Sequence, residues 1–168
     1  FAQVEAGFLQ DVDALVRTTV DNAVWDDAAQ HVRHPIEPHS IFLEKTFTPE
    51  ALKNIEVQSV AFFTLDGQLH SSIDIRNGQV ATLQADGALV RDIQSALLQP
   101  AAMELQGGGN LKLWVDGRPL LVGFSHVRER GPGALNAGWL VMVRSLDESV
   151  LRSLVQITGS HFHIVQAE

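Results

Sequence analysis

From Phe1 to about His31 the chain holds no proline and one glycine, while Val4, Phe8, Val12, Leu15, Thr19 and Ala23 recur at spacings of three and four. That period gathers them on one stripe of an α-helix, so residues 1–31 are expected to form one long amphipathic helix. Its outer face is acidic. Glu5, Asp11, Asp13, Asp21, Asp26 and Asp27 are opposed only by Arg17 among the fully charged residues, which suits a solvated surface. His34, Pro35 and Pro38 end the segment, because proline lacks an amide donor and drives its predecessor out of helical geometry.

A loop is expected through Phe47, after which Thr48 as N-cap and Pro49 at the first helical position open a short helix. The period then changes to two. Val57, Ser59, Ala61 and Phe63 alternate with Gln58, Val60, Phe62 and Thr64 up to Asp66-Gly67, and residues 69–75 follow, which reads as a hairpin with a type I′ turn. Asn77-Gly78 marks another turn, residues 80–83 read as extended, and residues 88–98 as a helix closed by Pro100. Gly107-Gly108-Gly109 reads as a flexible turn, residues 111–115 and 119–127 as a second hairpin around Asp116-Gly117, and residues 138–143 as a further strand. Asp147 caps an expected helix over 148–157, and residues 161–165 alternate like a last strand. Strands joined by hairpins, with helices collected outside them, predict an antiparallel α+β fold: a long N-terminal helix packed on the sheet.

With 168 residues, 45% of them hydrophobic, the chain suits one core, so a single domain over 1–168 is expected, with 1–31 as the N-terminal helix and 55–168 as the sheet-containing part. Twelve Lys and Arg against 20 Asp and Glu give a net charge of −8, a poor balance for binding a polyanion, so nucleic acid is not an expected partner. Without cysteine there is no disulfide scaffold, thiolate metal site or cysteine nucleophile. No apolar stretch approaches the ~20 residues that span a bilayer. The chain starts at Phe1 and its only methionines are Met103 and Met142, so it is expected to be a processed or excised piece.

Catalytic signatures are missing. The three glycines are not followed by Lys-Ser/Thr, and no G-x-S-x-G elbow, H-E-x-x-H pair or dinucleotide fingerprint occurs, so neither catalysis nor a cofactor is expected. His31, His34 and His39 follow Asp26 and Asp27 and have the residue types of a zinc or nickel site, but the spacing fits polar residues at a helix end better, and no metal is assigned. The seven histidines are also candidates for sensing mild acidification. Trp25-Asp26-Asp27 reads first as a core anchor and second as a pocket wall whose carboxylates capture an amine, a cation or an arginine. Arg144, at a strand end, suits an ion pair with one of those carboxylates or recognition of an acidic ligand. Phe124 and Trp114 add aromatic surface, read as core before ligand contact.

Asp21-Asn22-Ala23-Val24-Trp25-Asp26-Asp27 resembles the D-x-A-x-W-D-D signature of the type-four CHASE domain, an extracellular sensory module of bacterial and archaeal membrane receptors. The likeness continues through Ile55-Glu56-Val57-Gln58-Ser59-Val60 and Leu65-Asp66-Gly67. It ends with Gly131-Pro132, Gly138, Leu140-Val141-Met142-Val143-Arg144 and Leu146-Asp147, similar to G-P…G-x-L-V-M-G-R-x-L-D. The sequence departs from the family at Ala28 and Ala29, where an aromatic is common, and at Val143, where glycine is frequent. The resemblance implies a PAS- or Cache-like domain on the periplasmic or extracellular side of the inner membrane. Flanking transmembrane helices and a cytoplasmic diguanylate cyclase, phosphodiesterase or histidine kinase are implied in the full-length protein. An unknown small molecule is the expected ligand, at Trp25, Asp26, Asp27, Phe124 and Arg144, and a homodimer through the N-terminal helix the expected assembly. Other readings are an interaction or dimerisation module without a ligand, and a small soluble hydrolase.

Overall fold

Residues 2–146 are described by the computed structural model; the expected helix over 148–157 and strand over 161–165 lie outside them. Among the described residues six antiparallel strands form one sheet in the order β3-β2-β1-β6-β5-β4. They are β1 (Ser59–Thr64), β2 (Leu69–Arg76), β3 (Gln79–Ala81), β4 (Gly108–Val115), β5 (Arg118–Val127) and β6 (Gly138–Ser145). The helices α1 (Ala2–Ala23), α2 (Asp26–Arg33), α3 (Ile41–Thr46) and α4 (Pro49–Asn54) cover one face, and α5 (Ala88–Leu97) and α6 (Pro100–Met103) the other. The α+β class and the helix-on-sheet arrangement are as the sequence predicts.

The alternation of side chains divides the core in two. Val60 and Phe62 of β1 and Leu140 and Met142 of β6 pack under α1–α4. Ala61 and Phe63, with Trp139, Val141 and Val143, pack under α5 and α6. Both rows are buried, so neither face of the central strands meets water.

Helix α1 lies on β5 and its neighbours through Phe8, Val12 and Leu15, which the three-four spacing places on one stripe. Two glycines allow the close approach. A Cβ on Gly123 would stand 2.7 Å from Thr19 Oγ1, and one on Gly108 would stand 2.7 Å from a Val20 methyl. Gly108 and Gly109 are therefore the start of β4 and not the flexible turn expected of them.

The single helix expected over 1–31 is two helices. Trp25 is extended, with φ −156° and ψ 131°. Its amide donates to Arg128 O at 3.0 Å, while the Arg128 amide donates to Ala23 O at 3.2 Å. The break is thus made by a short parallel bridge to the end of β5, between Val24 and Arg128, which no local proline or glycine announces. Two other expectations change. The loop expected through Phe47 contains α3, capped by the Ser40 hydroxyl, which accepts from the Leu43 amide at 3.2 Å. The Asp66-Gly67 turn is not type I′, because only Gly67 has positive φ, whereas Asn77-Gly78 and Asp116-Gly117 have positive φ at both positions.

Candidate functional site

Trp25 is half-buried against the α1–α4 side of the core, and its ring lies 5.5 Å from that of Phe42. Asp26 and Asp27 occupy the first turn of α2, where negative charge suits the helix dipole. Asp26 Oδ1 accepts from the Arg130 amide at 2.9 Å, so this carboxylate holds the connection after β5. Asp27 is exposed. Together these residues form a joint between helix and sheet.

Arg144 stands at the far end of β6, and among the described residues it pairs with no carboxylate. Its guanidinium donates to three backbone carbonyls: Ile55 O at 2.9 Å, Glu56 O at 3.0 Å and Asp11 O at 3.5 Å. Ile55 and Glu56 end α4. The Val57 amide donates to Leu52 O and the Glu56 amide to Lys53 O, the double bond pattern that closes a helix through a left-handed residue. That residue is Glu56, at φ 56°, where glycine is usual. The ion pair expected between Arg144 and Asp26 or Asp27 does not form, because strand β6 carries the arginine to the opposite end of the sheet from them.

Phe124 is fully buried on the α5–α6 side, edge-to-face with Trp139 at 5.9 Å. The structure therefore does not bring the five predicted site residues together. Trp25, Asp26 and Asp27 mark one joint, Arg144 another, and Phe124 lies on the other face of the sheet. Trp114, read as core, is 48% exposed on β4.

A cleft of about 530 Å³ opens between α5 and the sheet, within the ~300–1,000 Å³ usual for small-molecule sites. Leu83, Leu89, Val90, Val115 and Leu120 line it with Asp74, Arg76, Asp116 and Arg118. Asp74 is 6% exposed. Its Oδ1 accepts from the Ser59 hydroxyl and its Oδ2 from Arg76 Nε, both at 2.6 Å. Sequence reading missed this cleft. Asp74 and Arg76 look like the charged end of any hairpin strand, and only the i, i+2 spacing that puts them on one face hinted at a pair.

Among the described residues the buried histidines are His31, His70 and His126. A shifted register between Phe62 and Phe63 turns His70 toward α2. His70 Nε2 lies 2.9 Å from His34 O, so it must be the donor. In the neutral ring Nδ1 then accepts from the Ser71 hydroxyl at 3.0 Å, and Ser71 Oγ accepts from His31 Nε2 at 2.8 Å. Burial first, then the His70 and His34 rings, lower the His31 pKa from 6.5 to about 4. Burial also lowers that of His126, against the pull of the Met103, Ala102 and Gly138 carbonyls. Among the described residues no three of His, Asp and Glu are placed to hold a metal ion.

A helix bedded on one face of a six-stranded antiparallel sheet, with a polar-rimmed cleft under a second helix layer on the other, is the α+β build that the sequence predicts. The family model of the CHASE4 domain matches residues 8–165, and the chain belongs to that family. The likeness read from Asp21 to Asp147 is borne out by this match. Among solved structures, the extracellular domain of vpHK1S-Z8, described as a histidine kinase, superposes with a TM-score of 0.55 at 13% identity, over 91% of this chain and 57% of that one. That likeness shows a shared fold. A domain described as a sensory box/GGDEF family protein from Vibrio parahaemolyticus aligns at a TM-score of 0.35 and 9% identity, over 88% of this chain and 62% of that one, too weakly to bear on the fold. The chain thus spans less than two thirds of either neighbour's length. No curated protein matches it in sequence. Among the described residues no helix is long and apolar enough to cross a membrane.

Proposed function

We propose that residues 1–168 form a single ligand-sensing domain on the periplasmic or extracellular side of the inner membrane. It belongs to a membrane-bound receptor that controls a cytoplasmic diguanylate cyclase, phosphodiesterase or histidine kinase. CHASE4 membership and the fold shared with an extracellular domain support the setting. The observation that carries ligand sensing is the cleft under α5, whose size and mix of apolar wall and charged rim suit a small molecule. Trp25, Asp26, Asp27 and Arg144 act as joints that transmit occupancy to the helices, and Phe124 packs the core behind the cleft. Binding that favours one arrangement of these joints over another shifts the receptor between states.

A thermal-shift screen on the wild-type chain, Leu89→Trp, Trp25→Ala and Arg144→Ala tests this. Leu89→Trp fills the cleft and is expected to abolish stabilisation by any hit, which Trp25→Ala and Arg144→Ala should retain. A hit that stabilises Leu89→Trp as well as the wild type moves the site out of the cleft.

The second reading is a dimerisation module. Trp114 on β4, a strand with a neighbour on one side only among the described residues, and Leu9 on α1, 61% exposed, favour it. Sedimentation of the wild type against Trp114→Ser and Leu9→Ser separates the two: a dimer lost in either variant, with no ligand found, supports the module.

A further inference from the structure

We propose that the cleft under α5 takes a carboxylate carried on a short apolar chain, with Arg118 as the residue that binds the carboxylate; this rests on the ligand-sensing reading above. The argument is one of uncommitted charge. Four ionisable side chains line the cleft: Asp74, Arg76, Asp116 and Arg118. Asp74 and Arg76 are already committed to each other, and the second oxygen of Asp74 accepts from Ser59. Asp74 therefore offers no free charge to a cationic ligand.

Arg118 is different. It is exposed at the start of β5, where its backbone pairs with Val115, and its side chain makes no hydrogen bond or ion pair among the described residues. A guanidinium presents its N–H groups as a planar fork that matches a carboxylate in two parallel bonds, which an alcohol or amine cannot use. The period of two puts Arg118 on the same face as Leu120, so its head stands beside an apolar wall completed by Val115, Leu89 and Val90. Arg76 is not an equal alternative. In the order β2-β1-β6-β5 it lies three strand intervals away, roughly 14 Å at ~4.8 Å each. Arg76 is also already held by Asp74, whose carboxylate offsets its charge. Asp116, at the rim, is free to meet an ammonium if the ligand carries one beside its carboxylate.

Calorimetric titration of the full chain with hexanoate, norleucine, hexanol and hexylamine tests the assignment. Hexanoate or norleucine is expected to bind the wild type, whereas hexanol and hexylamine are not. Arg118→Ala should weaken binding at least tenfold and Arg118→Lys should restore only part of it, since an ammonium lacks the fork. Tighter binding of norleucine than of hexanoate, reversed by Asp116→Asn, identifies the ligand as an amino acid; the opposite order identifies a simple acid. Both support the proposal. Wild-type affinity in Arg118→Ala overturns it, as does hexylamine binding better than hexanoate, or neither carboxylate binding at millimolar concentration. If Leu89→Trp abolishes binding in the first two cases, the cleft stands as the site and only the carboxylate class falls. If Leu89→Trp leaves binding untouched, the ligand-sensing reading of the cleft falls as well.

Discussion

Arg144 closes the end of helix α4 from the other side of the chain, its Nε donating to Glu56 O at 3.0 Å while Glu56 itself sits at φ 56°. The strand residue satisfies carbonyls that the helix end leaves open, and it holds a left-handed glutamate in place. Arg144→Ala is expected to lower unfolding stability by about 2 kcal/mol, the scale of lost hydrogen bonds from a charged donor. Arg144→Lys should recover less than half, because one ammonium cannot serve Ile55 O and Glu56 O in the same geometry. Urea denaturation measures both. Glu56→Gly should raise stability by roughly 0.5 kcal/mol, since it relieves the left-handed strain at some entropic cost.

The contact of α1 with the sheet predicts a second outcome. Gly123→Ala places a methyl 2.7 Å from Thr19 Oγ1 and 3.1 Å from Leu15 Cγ, and should cost ~1–3 kcal/mol by overpacking. Thr19→Ala removes the nearer atom. The double variant should therefore be more stable than the sum of the single losses predicts, and a double-mutant cycle that is additive would remove this contact from the account.

Acid should weaken the fold through His31. Its pKa falls from 6.5 to about 4 on folding, so between these values the unfolded chain binds more protons, and stability is full above about pH 6.5 and declines as pH falls toward 4. The loss has a ceiling of roughly 3.4 kcal/mol. His31→Gln should flatten the dependence of the melting temperature on pH across this window; a slope equal to that of the wild type would assign the effect to other groups.

The two helix caps provide a smaller, cleaner measurement. Ser40→Ala and Thr48→Ala each remove a hydroxyl that accepts an amide at 3.2 Å, and each should cost ~1 kcal/mol. The two losses should add, since the caps belong to separate helices.

The elements that could be read from the sequence are those whose cause is local. The stripe from Phe8 to Ala23, the alternation around Phe62 and the Asn77-Gly78 and Asp116-Gly117 turns all carry their signal within a few residues. The break at Trp25 does not, because its cause is Arg128, and the sequence around Val24 continues to favour helix. Gly108 and Gly123 were legible as glycines but not as the bed of α1, which requires knowing what lies above them. The cleft is the extreme case. It is assembled from β2, β4, β5 and α5, and each charged residue in it is ordinary in its own segment. Arg144 was visible as a charged strand end, yet its partners are main-chain carbonyls, which leave no trace in residue type.

The strand order sets how this chain can fold. Each wing of the sheet, β1-β2-β3 on one side and β4-β5-β6 on the other, is a run of hairpins between sequence neighbours. The seam between the wings is the pairing of β1 with β6, Ser59 opposite Val143, the most distant partners in the sheet. Closing it carries a loop entropy that grows with the logarithm of the intervening length, whereas the hairpins close cheaply. The wings can therefore form early and separately, and the seam joins them late. A chain stalled before that step would present two open strand edges at its centre, so the rate of seam closure sets its exposure to aggregation.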